Sequence, residues 1–237
     1  MKPLYLSTPV RQGLGSCLRP GGQALTGRLL DLLAPDQASV ILDAGCGPGA
    51  SMALVQERGI GSVLGLDLDE GLLTEARYGE MPVARADLAH LPLPDACLDM
   101  VLCECVWNLT EREQVMAEFH RVLRPGATIA LTDIFSRTAE AAGPSGTWPV
   151  RCCFSQATDL ATVQELVISA GFKIKVLEDH TRLLKQTAAE FVFAHGSLLA
   201  FWQAVTGDEN LARAACKASA TTRPGLFLLI AQRSTHE

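Results

Sequence analysis

Residues 40–51 read Val-Ile-Leu-Asp-Ala-Gly-Cys-Gly-Pro-Gly-Ala-Ser, and no other stretch constrains the chain as much. An apolar strand runs into Asp43, Gly45, Gly47 and Gly49 follow at alternate positions, and a helix opens at Ala50. Glycines so spaced let the backbone turn sharply and approach a ligand closely. The helix start adds unpaired N–H groups and the positive end of its dipole. The next strand, Ser62 to Leu66, is closed by Asp67, a carboxylate placed to accept from ribose hydroxyls. Strand, turn, helix, strand and terminal acid in this order predict a site for an adenosine-bearing ligand. Gly45, Gly47 and Ala50 also fit the dinucleotide spacing G-x-G-x-x-[GA]. Against that reading, Asp43 stands where it would attract a ligand ammonium and repel a pyrophosphate, and Pro48 stiffens the loop.

The rest of the chain alternates short apolar runs with amphipathic stretches. Helices are expected at Ala24–Leu33, Ala50–Arg58, Glu70–Arg77, Glu111–Leu123 and Ala157–Ala170. Strands are expected at Ser39–Asp43, Ser62–Leu66, Val83–Arg85, Leu98–Cys103, Ala127–Thr132, Phe172–Leu177 and Phe227–Gln232. Such alternation predicts a parallel sheet with helices on both faces. The first twenty or so residues, rich in Gly, Pro and Ser, read as an irregular arm, and Arg137–Pro149 as a loop. Thr187–Ser219 reads as mostly helical, broken near Gly196 and Gly207.

At this point the sequence resembles the class I S-adenosylmethionine-dependent methyltransferases. Leu42-Asp43-Ala44-Gly45-Cys46-Gly47-Pro48-Gly49 matches their first motif. Leu66-Asp67-Leu68-Asp69, Arg85-Ala86-Asp87-Leu88, Leu91-Pro92-Leu93-Pro94-Asp95 and Arg121-Val122-Leu123-Arg124-Pro125-Gly126 follow in the family's order. The resemblance implies an α/β, Rossmann-like three-layer sandwich. Its mostly parallel seven-stranded sheet would have an antiparallel last strand, inserted between the fifth and the sixth. It implies S-adenosyl-L-methionine as cofactor, with Asp43, Ala44, Gly45, Cys46, Gly47 and Gly49 at the methionine part and Asp67 on the ribose. Leu68 would pack on the adenine and Asp87 accept from its amino group. Ala86 and Leu88 would flank Asp87, and Cys103 and Glu104, ending the fourth strand, would lie beside the methionine end. The chain then reads as one methyltransferase domain, 1–237, with an N-terminal arm and helix to residue 35. A helical insertion at about 181–222 would cover the site as a lid.

Methyl transfer from a sulfonium disperses charge, so alignment and exclusion of water can carry most of the catalysis. No catalytic group is therefore obvious; Glu104, Cys105, Asp133 and Cys153 are the candidates. Trp107 and Cys153 are expected against the acceptor, a small molecule. Cys105-Val106-Trp107-Asn108-Leu109 resembles the N-C-V-x-N-L stretch of arsenite methyltransferases, and Cys153-Phe154-Ser155-Gln156-Ala157 their C-x-x-G-A. Here Glu104 replaces an Asn and Gln156 a Gly. That family's cysteine between the first motif and Asp67 is missing, as is its C-terminal cysteine pair, where only Cys216 stands. A thiolate-bound metalloid is thus an alternative acceptor. A non-catalytic cofactor-binding protein and a nicotinamide-dependent oxidoreductase are further alternatives.

Composition sets outer bounds. With 237 residues, 48% of them hydrophobic, and a net charge of −6, the chain can bury a full core and lacks the signature of disorder. Without a long Lys/Arg run it has no electrostatic footprint for nucleic acid. No apolar run approaches the ~20 residues of a membrane span, and the N-terminus shows no signal core. A cytoplasmic location follows as an expectation. None of the eight cysteines forms a C-x-x-C pair, so neither metal site nor disulfide framework is expected. Oligomeric state is left open.

Overall fold

The computed structural model describes residues 3–138 and 148–235. Seven strands form one sheet: β1 (Val40–Ala44), β2 (Ser62–Asp67), β3 (Val83–Arg85), β4 (Leu98–Glu104), β5 (Leu123–Phe135), β6 (Phe172–Asp179) and β7 (Gly225–Arg233). Their order is β3-β2-β1-β4-β5-β7-β6. The pairs among β1 to β5 are parallel, and β7 runs antiparallel to both β5 and β6. This is the Rossmann-like topology the motif order implied. The strand order reverses between β1 and β4, so the connections leaving their carboxyl ends run to opposite sides, the position of the crevice where such sheets bind ligands.

Helices α2 (Gly22–Leu33), α3 (Ala50–Glu57), α4 (Glu70–Tyr78), α5 (Arg112–Val122) and α6 (Leu160–Ser169) cover the sheet. Strand side chains alternate between two cores. Val101, Ile129, Leu131 and Leu229 pack with Val115 and Phe119 of α5 and Val163 of α6. Met100, Leu102, Ala130 and Leu228 pack with Leu25 and Leu29 of α2 and Met52 of α3. Each large side chain so buried contributes about 1.5–3 kcal/mol. Arg121, from the last of the family motifs, acts structurally. Its guanidinium donates to the carbonyls of Leu91 and Leu93 and to Glu118 and Asp95, clamping the β3–β4 connection onto α5.

Three helices lie between β6 and β7: α7 (Thr181–His195), α8 (Leu198–Thr206) and α9 (Glu209–Thr222). Gly196 (φ 85°) and Gly207 (φ 69°) end α7 and α8 in the left-handed region, where the sequence placed its breaks. The arm departs from expectation. Residues Thr8–Leu14 form helix α1, between short 3-10 turns at Leu4–Leu6 and Gly15–Cys17. Its glycine permits tight packing rather than a loop: a Cβ at Gly13 would collide with the Phe191 ring of α7. Val10 joins Phe201 and Trp202 of α8 and Ala212 and Ala215 of α9 in a third core. Most of the expected Arg137–Pro149 loop, residues 139–147, lies outside the described residues.

Candidate active site

The glycine turn hangs from β2. The N–H groups of Gly45 and Cys46 donate to the Leu66 carbonyl at 2.7 and 3.1 Å. Gly45 adopts φ +79°, and a Cβ there would meet Val106 Cγ1 at 2.6 Å, so neither conformation nor space admits another residue. Asp67 holds the turn from the other side. Its Oδ2 accepts from Gly47 N at 2.9 Å and its Oδ1 from Asp69 N at 2.9 Å. Burial raises the Asp67 carboxyl above its usual range, partly offset by those N–H donors.

Two acids face the turn from the ends of β1 and β4. Asp43 is 3% exposed, and its Oδ2 has no hydrogen-bond partner. Burial, reinforced by the nearby Glu104 carboxylate and opposed by Arg19, lifts its carboxyl to about 7. Glu104 is fully engaged. It accepts from Arg19 Nη2 at 3.0 Å and Nε at 3.2 Å, from Ser51 Oγ at 2.8 Å and from Thr26 Oγ1 at 3.0 Å. Arg19 Nη2 also donates to Ser51 and to Thr26. Sequence reasoning missed Arg19: a single arginine in a Gly/Pro-rich arm gives no local sign that it pairs with a residue 85 positions away. Arg19, Glu104, Gly45, Cys46, Gly47 and Asp67 all line one cavity of about 100 Å³.

The other expected site residues divide. Ala44 is buried behind the turn, and Leu68 is 53% exposed at the end of β2. The Ala86 N–H donates to the Asp67 carbonyl at 3.1 Å, beyond β3. Asp87 is exposed just past it, its Oδ1 accepting from Ala89 N at 3.0 Å, and is not among the residues lining that cavity. Leu88 turns its side chain into the core. Two expectations need correction. The Cys103 side chain points away from the turn into the α5-side core, because alternation along β4 sends Glu104 toward the site and Cys103 to the opposite face. Trp107 is fully buried in the same core. Its ring sits beneath the Arg112 guanidinium, 5.5 Å from it, and its Nε1 donates to the Arg112 carbonyl at 3.3 Å. It lines no part of the cavity at the turn.

Other aromatics gather elsewhere. A second cavity, of about 200 Å³, is lined by Trp148, Phe154, Phe191, Phe201 and Trp202 among others. It shares Tyr5, Leu18, Cys105 and Leu109 with the first, so the two adjoin. Phe191, Phe201 and Trp202 come from the stretch expected to be mostly helical, and Tyr5 from the N-terminal arm. At the seam, Cys105 (φ 57°) is held in the left-handed region, unusual for a residue with a side chain. The sulfurs of Cys105 and Cys153 and a carboxylate oxygen of Asp133 lie within 4.8 Å of one another. Asp133 accepts from Asn108 N at 2.9 Å and Ile134 N at 2.8 Å, and burial lifts its carboxyl to about 7. Asn108, also missed, donates to the carbonyls of Ile134 (2.7 Å) and Cys153 (2.9 Å) and so fixes the cysteine segment to the end of β5. The hydrogen bond with Cys105, together with burial, pushes the Cys153 thiol well above its usual range.

Residues 42–131 match a family model described as a methyltransferase domain. A curated protein of Mycolicibacterium smegmatis, "Probable S-adenosylmethionine-dependent methyltransferase", is 32% identical over 138 residues, covering 57% of this chain and 52% of that protein. "Putative methyltransferase ECU09_1500" of Encephalitozoon cuniculi is 31% identical over 156 residues, covering 57% and 71%. The chain thus spans about half the length of the first and more of the second. In fold, it is similar to phosphoethanolamine N-methyltransferase 2 of Haemonchus contortus in complex with S-adenosyl-L-methionine. That likeness has a TM-score of 0.74 at 17% identity and covers 95% of this chain and 56% of that one.

Proposed function

This chain belongs to the S-adenosylmethionine-dependent methyltransferase family, and from that premise we propose that it transfers a methyl group from S-adenosylmethionine to a small molecule. One observation carries the reading: a buried, unpartnered carboxylate oxygen on Asp43, set beside a turn in which Gly45 leaves no room for a Cβ. An orphaned acid at such a cradle fits a ligand that brings a cation. Asp43 and the Gly45–Gly49 turn would hold the methionine part, Asp67 the ribose hydroxyls, and Leu68 and Asp87 the adenine. Arg19 supplies the positive charge for the ligand carboxylate, and Glu104 keeps that guanidinium in place.

When bound, the cofactor supplies a methyl carbon on a positively charged sulfur that leaves as a neutral thioether. The protein's own part is to align the acceptor and keep water out. Tyr5, Leu18, Cys105 and Leu109, common to both cavities, form the seam across which donor and acceptor would meet. The test is calorimetric titration with S-adenosylmethionine and S-adenosylhomocysteine. Micromolar binding is expected for the wild type, and binding weakened at least tenfold for Asp43→Ala. Absence of binding by the wild type overturns the proposal.

One observation favours a second reading. Cys105 and Cys153, the two cysteines in the stretches that resemble arsenite methyltransferases, bring their sulfurs together beside Asp133. A trivalent metalloid hydroxide could condense with both thiols, releasing water and forming two bonds to sulfur. Arsenite binding by the wild type, abolished in Cys105→Ser and in Cys153→Ser, supports that reading. An unchanged titration in either variant ends it.

A further inference from the structure

The walls of the larger cavity identify the chemistry of its occupant, given the methyltransferase reading. Among the described residues that line it there is no Asp, Glu, Lys, Arg or His. Two stacked aromatic pairs form its sides: Trp148 with Phe154, ring centroids 4.8 Å apart, and Phe191 with Phe201, 4.4 Å apart. Protein cores rarely keep a void larger than a water, because unfilled apolar space costs stability. Here a partly open apolar hollow of about 200 Å³ persists where α1, α7 and α8 meet, adjoining the glycine-turn cavity at Cys105. Its position also matches the site's need for a water-free space next to the transferable methyl.

We infer that the acceptor is an uncharged, hydrocarbon-rich small molecule, and that the buried part of its skeleton is about the size of a fused two-ring system. The size follows from comparison with an apolar protein cavity of about 150 Å³, which takes up benzene. The charge follows from the walls. An acceptor with a phosphate, carboxylate or ammonium in this space would lose its hydration with no counter-charge to replace it. The flat aromatic walls favour a planar or alicyclic skeleton over a polar chain. Selectivity is thus exercised mainly by exclusion of charge, and the polar atom to be methylated is left at the Tyr5–Cys105 seam.

The test uses two probes with one skeleton, 1-naphthol and 1-naphthoate, titrated calorimetrically at pH 8 into the full chain saturated with S-adenosylhomocysteine. Naphthol is expected to bind at least tenfold more tightly than naphthoate. Ala188→Trp, which fills the cavity from α7, should weaken naphthol at least tenfold and leave S-adenosylhomocysteine binding within twofold; Leu198→Trp serves the same purpose if that variant does not fold. Equal or tighter binding of naphthoate, or naphthol binding indifferent to the filled cavity, overturns the inference. Loss of S-adenosylhomocysteine binding in the wild type would instead overturn the methyltransferase reading beneath it, so the two failures are distinguishable.

Discussion

Arg19 and Glu104 form a buried ion pair, 3.0 Å between Nη2 and Oε1, that fastens the N-terminal arm to the end of the fourth strand. The side chains are 8% and 3% exposed, so each charge depends on the other and on Thr26 and Ser51 for its solvation. Removing one partner leaves the other charge stranded. Arg19→Ala should cost roughly 3–5 kcal/mol, read as a lower urea midpoint. Arg19→Ala/Glu104→Gln should recover part of that loss, because the stranded carboxylate is gone. Cofactor affinity should stay low in both, since neither supplies the guanidinium. A double variant no more stable than the single would show that the pair is not the source of the cost.

Gly45 tests the cradle from the backbone side. Alanine must occupy φ +79° and push Val106 away from a contact of 2.6 Å. Strain of this kind is worth about 1–3 kcal/mol. Gly45→Ala should therefore lower the thermal midpoint and weaken S-adenosylhomocysteine at least tenfold. Gly59→Ala is the control: φ +64° is also strained, but its Cβ meets nothing within 4 Å and the residue lies past the opposite end of α3 from the turn. It should lose stability and keep the ligand. Retained binding in Gly45→Ala would mean that the turn does not approach the cofactor.

Asp43 gives the free protein a pH dependence of known sign. Its carboxyl is raised from an ordinary 3.8 to about 7 by burial and by Glu104, against the pull of Arg19. The folded state thus holds a proton that the unfolded chain gives up, so this group's contribution to stability falls as pH rises from about 4 through 7. Asp133, also raised to about 7, adds a slope of the same sign. Asp43→Asn should flatten part of that slope in urea titrations from pH 5 to 8. A ligand ammonium acts in the opposite sense by favouring the carboxylate, so cofactor affinity in the wild type should climb through neutrality. A wild-type affinity flat across this range would separate Asp43 from the cation.

What was legible in the sequence follows from range. The glycine turn, the acids at strand ends and the helix-ending glycines at 196 and 207 are local signals, and the structure puts each at the predicted place in the fold. The sheet order came from the resemblance in its motifs. The arm was misread because Gly13 and Pro9 mark loops in isolation, whereas here Gly13 allows close contact with Phe191 of a distant helix. Arg19 and Asn108 act through partners far along the chain, which no local window contains. The cavity aromatics Trp148 and Trp202 come together from segments on either side of β6.

Trp107 marks where strand-end reasoning fails, and its variant separates core from site. Its position just after the fourth strand suggested the acceptor, yet the short 3-10 turn at Trp107–Leu109 swings the ring beneath Arg112 and into the α5-side core. Trp107→Ala should cost about 3–5 kcal/mol, the usual range for a buried tryptophan. In the folded fraction, binding of S-adenosylhomocysteine and of naphthol should change less than threefold, because the ring lines neither cavity. Trp148→Ala should do the reverse: the residue is only half-buried, so stability changes less, while naphthol affinity falls at least tenfold. If Trp107→Ala weakened naphthol without moving the urea midpoint, the acceptor would have to lie on the other face of the fourth strand.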